Sequence, residues 1–204
     1  KKTLKEIGQP CNSIPAIQVA GTNGKGSITC FLQNCLEAAG IKTGITTSPH
    51  LITWCERIRA NGEIISRLEL EAKVTALKSV ARKNQLTPFE LVIAAAFSHF
   101  NDKKVDLIIL EVGLGGRLDA TTAHPFRPVI AMGSIGLDHC EQLGGSLKEI
   151  AIEKAAVINP GSTVISSLQN PIVKEVFEQT ALKKHAKIKW VSPLSQDWEL
   201  GLHG

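Results

Sequence analysis

One glycine-rich segment has the residue types and the position that phosphate binding requires. The sequence GTNGKGS occupies residues 21–27, between an apolar run and a stretch with helical spacing. Glycines let several backbone N–H groups turn toward one anion, and the amino end of a helix attracts negative charge. Lys25 could reach the outer phosphates of a nucleotide. The segment therefore predicts an ATP-binding loop rather than a turn that only caps a helix, although Gly26 separates Lys25 from Ser27, unlike the general pattern.

Polar side chains also follow the next predicted strands. Residues 107–111 read LIILE, and a carboxylate at a strand end opposite a phosphate loop suits Mg²⁺. The glycine-rich run at residues 113–119, with Arg117 and Asp119, could approach a ligand closely or form only a mobile surface loop. His139 follows another strand, where a metal ligand, a polar site group and a structural histidine are all open interpretations.

Other polar features favour a plain structural interpretation when judged by residue type alone. Residues 47–51 (TSPHL) and 56–59 (ERIR) indicate a turn and then a charged, solvated stretch. Lys154 lies on a predicted helix and is typical of a solvated lysine. The five cysteines include no CxxC pair, which argues against a disulfide scaffold or zinc ribbon and favours reduced thiols.

The elements that must position these residues alternate along the chain. Apolar runs predict strands at residues 15–20, 41–47, 105–112, 129–135, 163–167 and 187–191. Helical spacing and caps predict helices at residues 27–39, 67–84, 88–100, 146–158 and 171–184. Apolar strands separated by helices predict an α/β fold, with a mostly parallel sheet covered on both faces. Such sheets bind ligands beyond the carboxyl ends of their strands, where the polar segments fall.

Composition narrows the class of protein further. The 204 residues, 43% of them hydrophobic, suit one domain or one domain plus the start of another. The net charge of +4 is spread along the chain and Tyr is absent, so nucleic acid is not a predicted partner. Because the sequence contains neither an apolar run of about 18 residues nor a signal peptide, we expect no membrane span and a cytoplasmic location.

Taken together, these segments resemble the folylpolyglutamate synthase/dihydrofolate synthase family of the Mur-type ligase superfamily. The matching segments occur in the family's order, at residues 19–27, 47–51, 56–59, 88–90, 111–121, 135–139, 152–154 and 160–161. Gly26 is an expected feature of this family. The resemblance implies a P-loop ATP-binding domain like the central domain of Mur ligases at residues 1–190. Residues 191–204 would begin the junction to the family's C-terminal glutamate-ligase domain, which is missing from this chain.

The resemblance also implies roles for particular residues. The ATP-binding residues would be Thr22, Asn23, Gly24, Lys25, Gly26 and Ser27. The ligands of two Mg²⁺ ions would be Ser27, Ser48, Glu111 and His139. The folate or pteroate substrate would contact Thr87, Pro88, Phe89, Glu90, Leu118, Asp119 and Ala120. Catalysis would involve Lys25, His139 and Lys154, the last as the family's carbamylated lysine, whose negative charge helps to hold the second ion.

The implied reaction is the ATP-dependent addition of L-glutamate to dihydropteroate, to a folyl-polyglutamate, or to both, through an acyl phosphate, by a monomer. Two alternatives stay open: another Mur-type ligase that acts on a cell-wall nucleotide precursor, and a truncated, inactive nucleotide-binding fragment. A small-molecule kinase is less favoured, because no Arg-rich lid segment is evident.

Overall fold

The computed structural model describes residues 1–192 and contains one eight-stranded sheet. The strands are β1 Ala16–Ala20, β2 Thr43–Thr46, β3 Ile58–Ala60, β4 Glu63–Ile64, β5 Leu107–Glu111, β6 Val129–Met132, β7 Thr163–Ser167 and β8 Lys187–Val191. The helices are α1 Lys2–Glu6, α2 Lys25–Ala38, α3 Arg67–Lys83, α4 Pro88–Asp102, α5 Cys140–Leu143, α6 Leu147–Ala155 and α7 Pro171–Lys183. Short 3₁₀ helices span Trp54–Arg57 and Ala120–Ala123. The predicted α/β fold with a mostly parallel sheet is confirmed.

The order of the strands places the ends of β1 and β5 side by side. The order across the sheet is β4-β3-β2-β5-β1-β6-β7-β8, and only the pairings of β3 with β2 and β4 are antiparallel. In the parallel register of β1 and β5, Val19 lies opposite Glu111. The loop that begins at Gly21 therefore leaves the sheet beside Glu111, at the edge where parallel sheets bind ligands.

The core forms on both faces of the sheet because successive side chains of a strand point to opposite faces. Ile108 and Leu110 of β5 are buried in a cluster with Phe97 and Phe100 of α4. Ile109 joins a second cluster on which α2 packs. A third cluster joins β6 and β7 to helices α6 and α7. Burial of these fully enclosed apolar side chains, at about 1.5–3 kcal/mol each, stabilises the layered arrangement.

Side-chain caps fix where several helices begin. A capping box begins α6: the Ser146 hydroxyl accepts a hydrogen bond from the Glu149 N–H at 3.3 Å. Ser66 and Thr87 start α3 and α4 in the same way. Pro88 occupies the first turn of α4, as expected for a residue without an N–H. Thr87 thereby fixes the position of the amino end of α4, which lines a cleft described below.

The sequence interpretation was wrong at the edge of the sheet and at some helix ends. The residue types at 56–59 indicate a solvated stretch, but Ile58 is fully buried in β3, which pairs with β2. Helix α2 starts at Lys25, not at residue 27, because Gly24 serves as its N-cap with φ 79°. The short helices α1 and α5 were not predicted, since four or five residues carry too little periodicity.

Two expectations concern membrane association and the domain boundary. Across residues 1–192, no helix is both long and apolar enough to cross a bilayer. The expected domain end near residue 190 falls within β8, and residues 193–204 of the expected junction lie outside the described residues. The boundary between residues 190 and 191 stays a prediction.

Candidate nucleotide and substrate site

The predicted phosphate loop connects β1 to α2 and is anchored on its inner side. The Thr22 N–H donates to the Ser134 carbonyl at 2.8 Å, and the Thr22 hydroxyl lies 3.1 Å from both the N and the O of Gly136. The ammonium of Lys25 donates to the carbonyls of Gly21 and Thr22 at 3.2 and 3.1 Å. The remaining loop residues are exposed: Asn23, Gly24, Gly26 and Ser27. The loop thus presents the free amino end of α2 outward, as anion binding requires.

Two glycines let this loop lie against the end of β6. A methyl group on Gly133 would stand 2.7 Å from the Asn23 carbonyl oxygen, far closer than van der Waals contact. Gly21 has φ +149°, and a methyl group there would meet the Gly133 backbone at 3.1 Å. The path of the phosphate loop therefore depends on the absence of side chains at both positions.

Glu111 supplies a buried carboxylate beside the phosphate loop. Its side chain is 4% exposed, and Oε2 accepts a hydrogen bond from the Ser48 N–H at 3.3 Å. Oε1 faces Gly26, where an added methyl group would lie 3.9 Å away. Burial raises the pKa of the Glu111 carboxyl, and the Ser48 N–H and the charge of Lys25 offset this only in part. A buried carboxylate with so few partners is well suited to a hard cation such as Mg²⁺.

Lys154 reaches the same loop from α6. It is only 3% exposed, and its ammonium donates to the Gly21 carbonyl at 3.1 Å, the same oxygen that Lys25 contacts. Burial, and then the charge of Lys25, lower the pKa of Lys154 to about 8. The interpretation of Lys154 as a solvated helix lysine, made from residue type alone, is therefore wrong. The role that the family resemblance implies for Lys154, as a carbamylated lysine that helps to hold a second Mg²⁺, stays a prediction.

His139 lines the adjoining cleft and is half-exposed. It precedes α5 with φ 50°, and its Nε2 is 3.6 Å from Oδ2 of the adjacent Asp138. Within residues 1–192, no cluster of three or more His, Cys, Asp or Glu side chains could hold a metal ion by itself. Any Mg²⁺ here would complete its coordination with hydroxyls, waters and phosphate oxygens, as Mg²⁺ commonly does. Ser27 and Ser48 are hydroxyl residues at the edge of the sheet that could contribute.

The predicted substrate residues line an open cleft of about 920 Å³ beside the carboxyl ends of the strands. Its lining includes all of the predicted substrate residues together with two predicted metal ligands: Thr87, Pro88, Phe89, Glu90, Leu118, Asp119, Ala120, Ser48 and His139. A volume in this range suits a small-molecule ligand. Residues that the sequence placed in separate segments thus share one cavity.

The glycine-rich loop after β5 forms one wall of the cleft and is held by Asp119. The carboxylate of Asp119 accepts hydrogen bonds from the N–H groups of Gly113 and Leu114 at 2.9 and 3.2 Å, and from that of Thr121 at 2.9 Å. The structure therefore shows Asp119 supporting the wall. Gly116 allows this wall to touch α6, since a methyl group there would lie 2.7 Å from the Glu153 carbonyl.

Sequence reasoning missed several residues of the cleft. Trp54 and Arg57 line it, as do Gln142 and Leu143 of the short helix α5. Trp54 is partly exposed, which is a signal of a binding surface, but sequence alone does not report exposure. Arg57 belongs to the ERIR segment that carried the resemblance, although no role was assigned to it.

The parallel sheet, the glycine-rich loop after β1 and the carboxylate that ends β5 define a P-loop nucleotide-binding domain. Within that class, residues 19–197 match the Mur ligase middle domain, and the chain belongs to that family.

The relatives that the chain matches include enzymes named dihydrofolate synthase/folylpolyglutamate synthase. The dihydrofolate synthase/folylpolyglutamate synthase of Bacillus subtilis is 40% identical over 194 residues, covering 91% of this chain and 44% of the relative. The Escherichia coli protein of the same name is 36% identical over 184 residues, covering 88% of this chain and 43% of that protein. The resemblance to this family, predicted from the sequence, is confirmed.

Solved structures agree with these relatives. Mycobacterium tuberculosis folylpolyglutamate synthase, complexed with ADP and AMPPCP, matches with a TM-score of 0.86 at 34% identity, over 92% of this chain and 45% of that chain. E. coli FolC in complex with DHPP and ADP matches with a TM-score of 0.85 at 34% identity, over 92% of this chain and 45% of that chain. The chain spans about half the length of the proteins it matches.

Proposed function

We propose that the full-length gene product containing this chain is an ATP-dependent carboxylate–amine ligase that adds L-glutamate to dihydropteroate, to folyl-polyglutamates, or to both. The position of Ser48 carries the proposal. Ser48 lines the substrate cleft, and its N–H also binds Glu111 beside the phosphate loop. A carboxylate in the cleft would therefore lie next to the nucleotide. The solved relatives that contain DHPP with ADP, or AMPPCP with folate, support the same pairing of ligands.

The reaction that we propose has two steps. A carboxylate oxygen of the pteroate or folate attacks the γ-phosphorus of ATP, and the bond from this phosphorus to the β-phosphate oxygen breaks. ADP departs, and the substrate becomes an acyl phosphate. The amine of glutamate then attacks the acyl carbon, loses a proton and displaces inorganic phosphate, which leaves an amide. Positioning and charge neutralisation dominate such phosphoryl transfers.

The phosphate loop and its neighbours would perform the nucleotide half of this reaction. Residues 22–27 would hold the phosphates through backbone N–H groups and the Lys25 ammonium. The ligands of two Mg²⁺ ions would be Ser27, Ser48, Glu111 and His139. When bound, Mg²⁺ would neutralise charge on the phosphates. The buried, sparsely hydrogen-bonded carboxylate of Glu111 supports this assignment.

We also propose that Lys154 is carbamylated. Its pKa of about 8 leaves part of the amine neutral near pH 7.5, and only the neutral amine can form a bond to CO₂. The new N–C bond forms with loss of one proton, which replaces an ammonium by an anion that could help to hold a second cation. A carbamate signal in carbon NMR with ¹³C-bicarbonate, absent from Lys154→Gln, is the expected result. The proposal is wrong if the two proteins give identical spectra.

The cleft would bind the pteroate or folate between two walls. Residues 87–90 at the amino end of α4 form one wall, and residues 118–120 belong to the other. Phe89 offers an aromatic face for stacking a planar ring. An increase in KM for the pteroate substrate in Phe89→Ala, with the KM for ATP unchanged, would support this division of the site.

The deciding experiment measures ADP release by the full-length gene product with Mg-ATP and L-glutamate, adding dihydropteroate or tetrahydrofolate in turn. Release that requires either compound, together with the amide product by mass spectrometry, is the expected result and shows which substrate is accepted. Release only with a UDP-muramyl substrate would instead show a cell-wall ligase. A folded protein that binds ATP but releases no ADP with any of these acceptors would be a nucleotide-binding protein without ligase activity.

We further propose that the protein acts as a monomer in the cytoplasm, where ATP is abundant. Four of its free cysteines are at least partly exposed, which suits a reducing compartment: Cys30, Cys35, Cys55 and Cys140. Sedimentation of the full-length protein would test the monomer, and fractionation of cells would test the compartment.

A further inference from the structure

Arg57 stands where the substrate cleft meets the edge of the phosphate site. It is the last residue of the 3₁₀ helix Trp54–Arg57, and its side chain lines the cleft. Its backbone carbonyl accepts a hydrogen bond from the Thr47 N–H at 3.3 Å. Thr47 directly precedes Ser48, whose own N–H binds Glu111. Arg57 is therefore tied to the strand end that carries one of the proposed metal ligands.

The guanidinium of Arg57 is held by aromatic and neutral groups. Its carbon lies 4.5 Å from the centre of the Trp54 ring and 5.8 Å from that of Phe89. Its Nε donates to Nδ1 of His50 at 2.7 Å. Stacking and one directional hydrogen bond orient the planar group, so little side-chain entropy is left to lose when a ligand binds.

The neighbouring acid does not neutralise Arg57. The carboxylate of Glu56 accepts hydrogen bonds from the N–H groups of Leu51, Ile52 and Thr53 at 2.8, 2.9 and 2.6 Å. These three backbone bonds hold the turn that precedes the 3₁₀ helix and lower the pKa of Glu56. The carboxylate nearest to Arg57 in the sequence is thus committed to the backbone.

The carboxylates that line the cleft also have partners other than Arg57. Glu90 caps α4 by accepting from the Thr87 N–H at 2.8 Å, Asp119 holds its loop, and Glu153 pairs with Arg117 at 3.0 Å. Among residues 1–192, Arg57 has no carboxylate within ion-pair distance, whereas Arg117, the other arginine of the cleft, has one. Burial lowers the pKa of Arg57, as expected for a partly desolvated cation.

We propose that Arg57 binds the carboxylate of the acceptor substrate that becomes phosphorylated, and that it holds this carboxylate beside Ser48. A guanidinium matches a carboxylate with two parallel hydrogen bonds, and the aromatic rings keep its plane fixed. The inference rests on the proposed ligase function and adds a substrate-binding residue to it. Arg57 would thus select acceptors that carry an anionic group at the reacting end.

Steady-state kinetics of the full-length gene product test this role with Arg57→Gln, Arg57→Lys and a matched control, Arg59→Gln. Arg59 lies two residues away on β3 and does not line the cleft. For Arg57→Gln we expect the KM of the pteroate or folate substrate to rise roughly ten- to hundredfold, as loss of a charge-assisted hydrogen bond predicts. The KM of ATP should stay within about twofold. Arg57→Lys should recover part of the loss and Arg59→Gln should match the wild type.

A binding measurement separates charge recognition from a packing defect around Phe89. The probes are the acceptor acid and its uncharged carboxamide, titrated into each protein in the presence of AMPPCP. The wild type should prefer the acid, and Arg57→Gln should bind both equally, because the preference depends on the guanidinium. If an active wild type and Arg57→Gln show the same preference and the same KM, the inference alone is wrong. If the wild type releases no ADP with any pteroate or folate, the proposed function fails and the inference fails with it.

Discussion

Lys154 should make the folded protein less stable at neutral pH than a neutral residue of the same shape. The side chain is buried, its one hydrogen bond goes to the Gly21 carbonyl, and the ammonium of Lys25 contacts the same oxygen. The substitution Lys154→Met keeps the length and removes the charge. We therefore expect Lys154→Met to raise the free energy of unfolding at pH 7 while it abolishes the proposed ligase activity, the trade-off typical of functional sites.

The size of the effect follows from the pKa of Lys154, which falls from 10.5 to about 8, a difference of 2.5. At about 1.4 kcal/mol per unit, the buried charge costs about 3 kcal/mol at pH 7. Loss of the hydrogen bond to Gly21 would lower the stability of Lys154→Met by about 1 kcal/mol. The net increase in its free energy of unfolding is therefore about 2 kcal/mol.

The sign of the pH dependence is fixed by which state holds more protons. Between pH 8 and 10.5 the folded protein has released the Lys154 proton while the unfolded chain still binds it. The stability of the wild type relative to Lys154→Met therefore rises with pH across this window. Above it, both states are neutral and the advantage of methionine has gone.

Urea denaturation of the full-length wild type and Lys154→Met, in bicarbonate-free buffer at pH 7 and at pH 10, measures both quantities. Bicarbonate is excluded because carbamylation would replace the ammonium. Lys184→Met is a useful comparison, because this lysine is less buried and also donates to backbone carbonyls. If Lys154→Met is less stable than the wild type at pH 7, or if its advantage is the same at both pH values, the reasoning about burial is refuted.

Two glycine substitutions test the packing around the site. Gly116→Ala should destabilise the protein by about 1–3 kcal/mol in thermal or urea denaturation, because its methyl group would stand 2.7 Å from the Glu153 carbonyl. Gly145→Ala, where no atom lies within 4 Å, is the control, and equal stability of the two variants would contradict the argument. In Gly133→Ala, the added methyl group would stand 2.7 Å from the Asn23 carbonyl oxygen of the phosphate loop. We therefore expect the Kd of ATP, measured by calorimetry, to rise roughly tenfold. An unchanged Kd would show that the loop can move aside.

The central part of the fold could be predicted because its signals are local. A few consecutive residues are enough to predict the apolar strand that ends in Glu111, and the same holds for the GTNGKGS loop. Parallel strands then bring their carboxyl ends to one edge, so the proximity of Glu111 to the phosphate loop follows from the fold class alone. The roles proposed for individual residues come from the family resemblance, because spacing alone does not assign them.

The remaining features depend on long-range packing and could not be predicted from residue types. The burial of Lys154 arises because α6 packs behind the phosphate loop, 133 residues away in sequence from Gly21. The cage around Arg57 joins Trp54 to Phe89, which belongs to a different helix. One overlooked signal was local: residues 57–60, which include β3, alternate charged and apolar side chains, a pattern typical of a half-buried strand.

The charges behind the phosphate loop explain why this site should respond strongly to a nucleotide. Lys25 and Lys154 share one carbonyl, and neither forms an ion pair with a carboxylate among residues 1–192. The attraction of Asp138 offsets only part of the desolvation of Lys154. When Lys154 is not carbamylated, the folded chain therefore bears the mutual repulsion of two ammonium groups, one of which is buried. A polyphosphate would remove this repulsion when it binds, so its binding is favoured both by the contacts that it makes and by the destabilisation that it relieves.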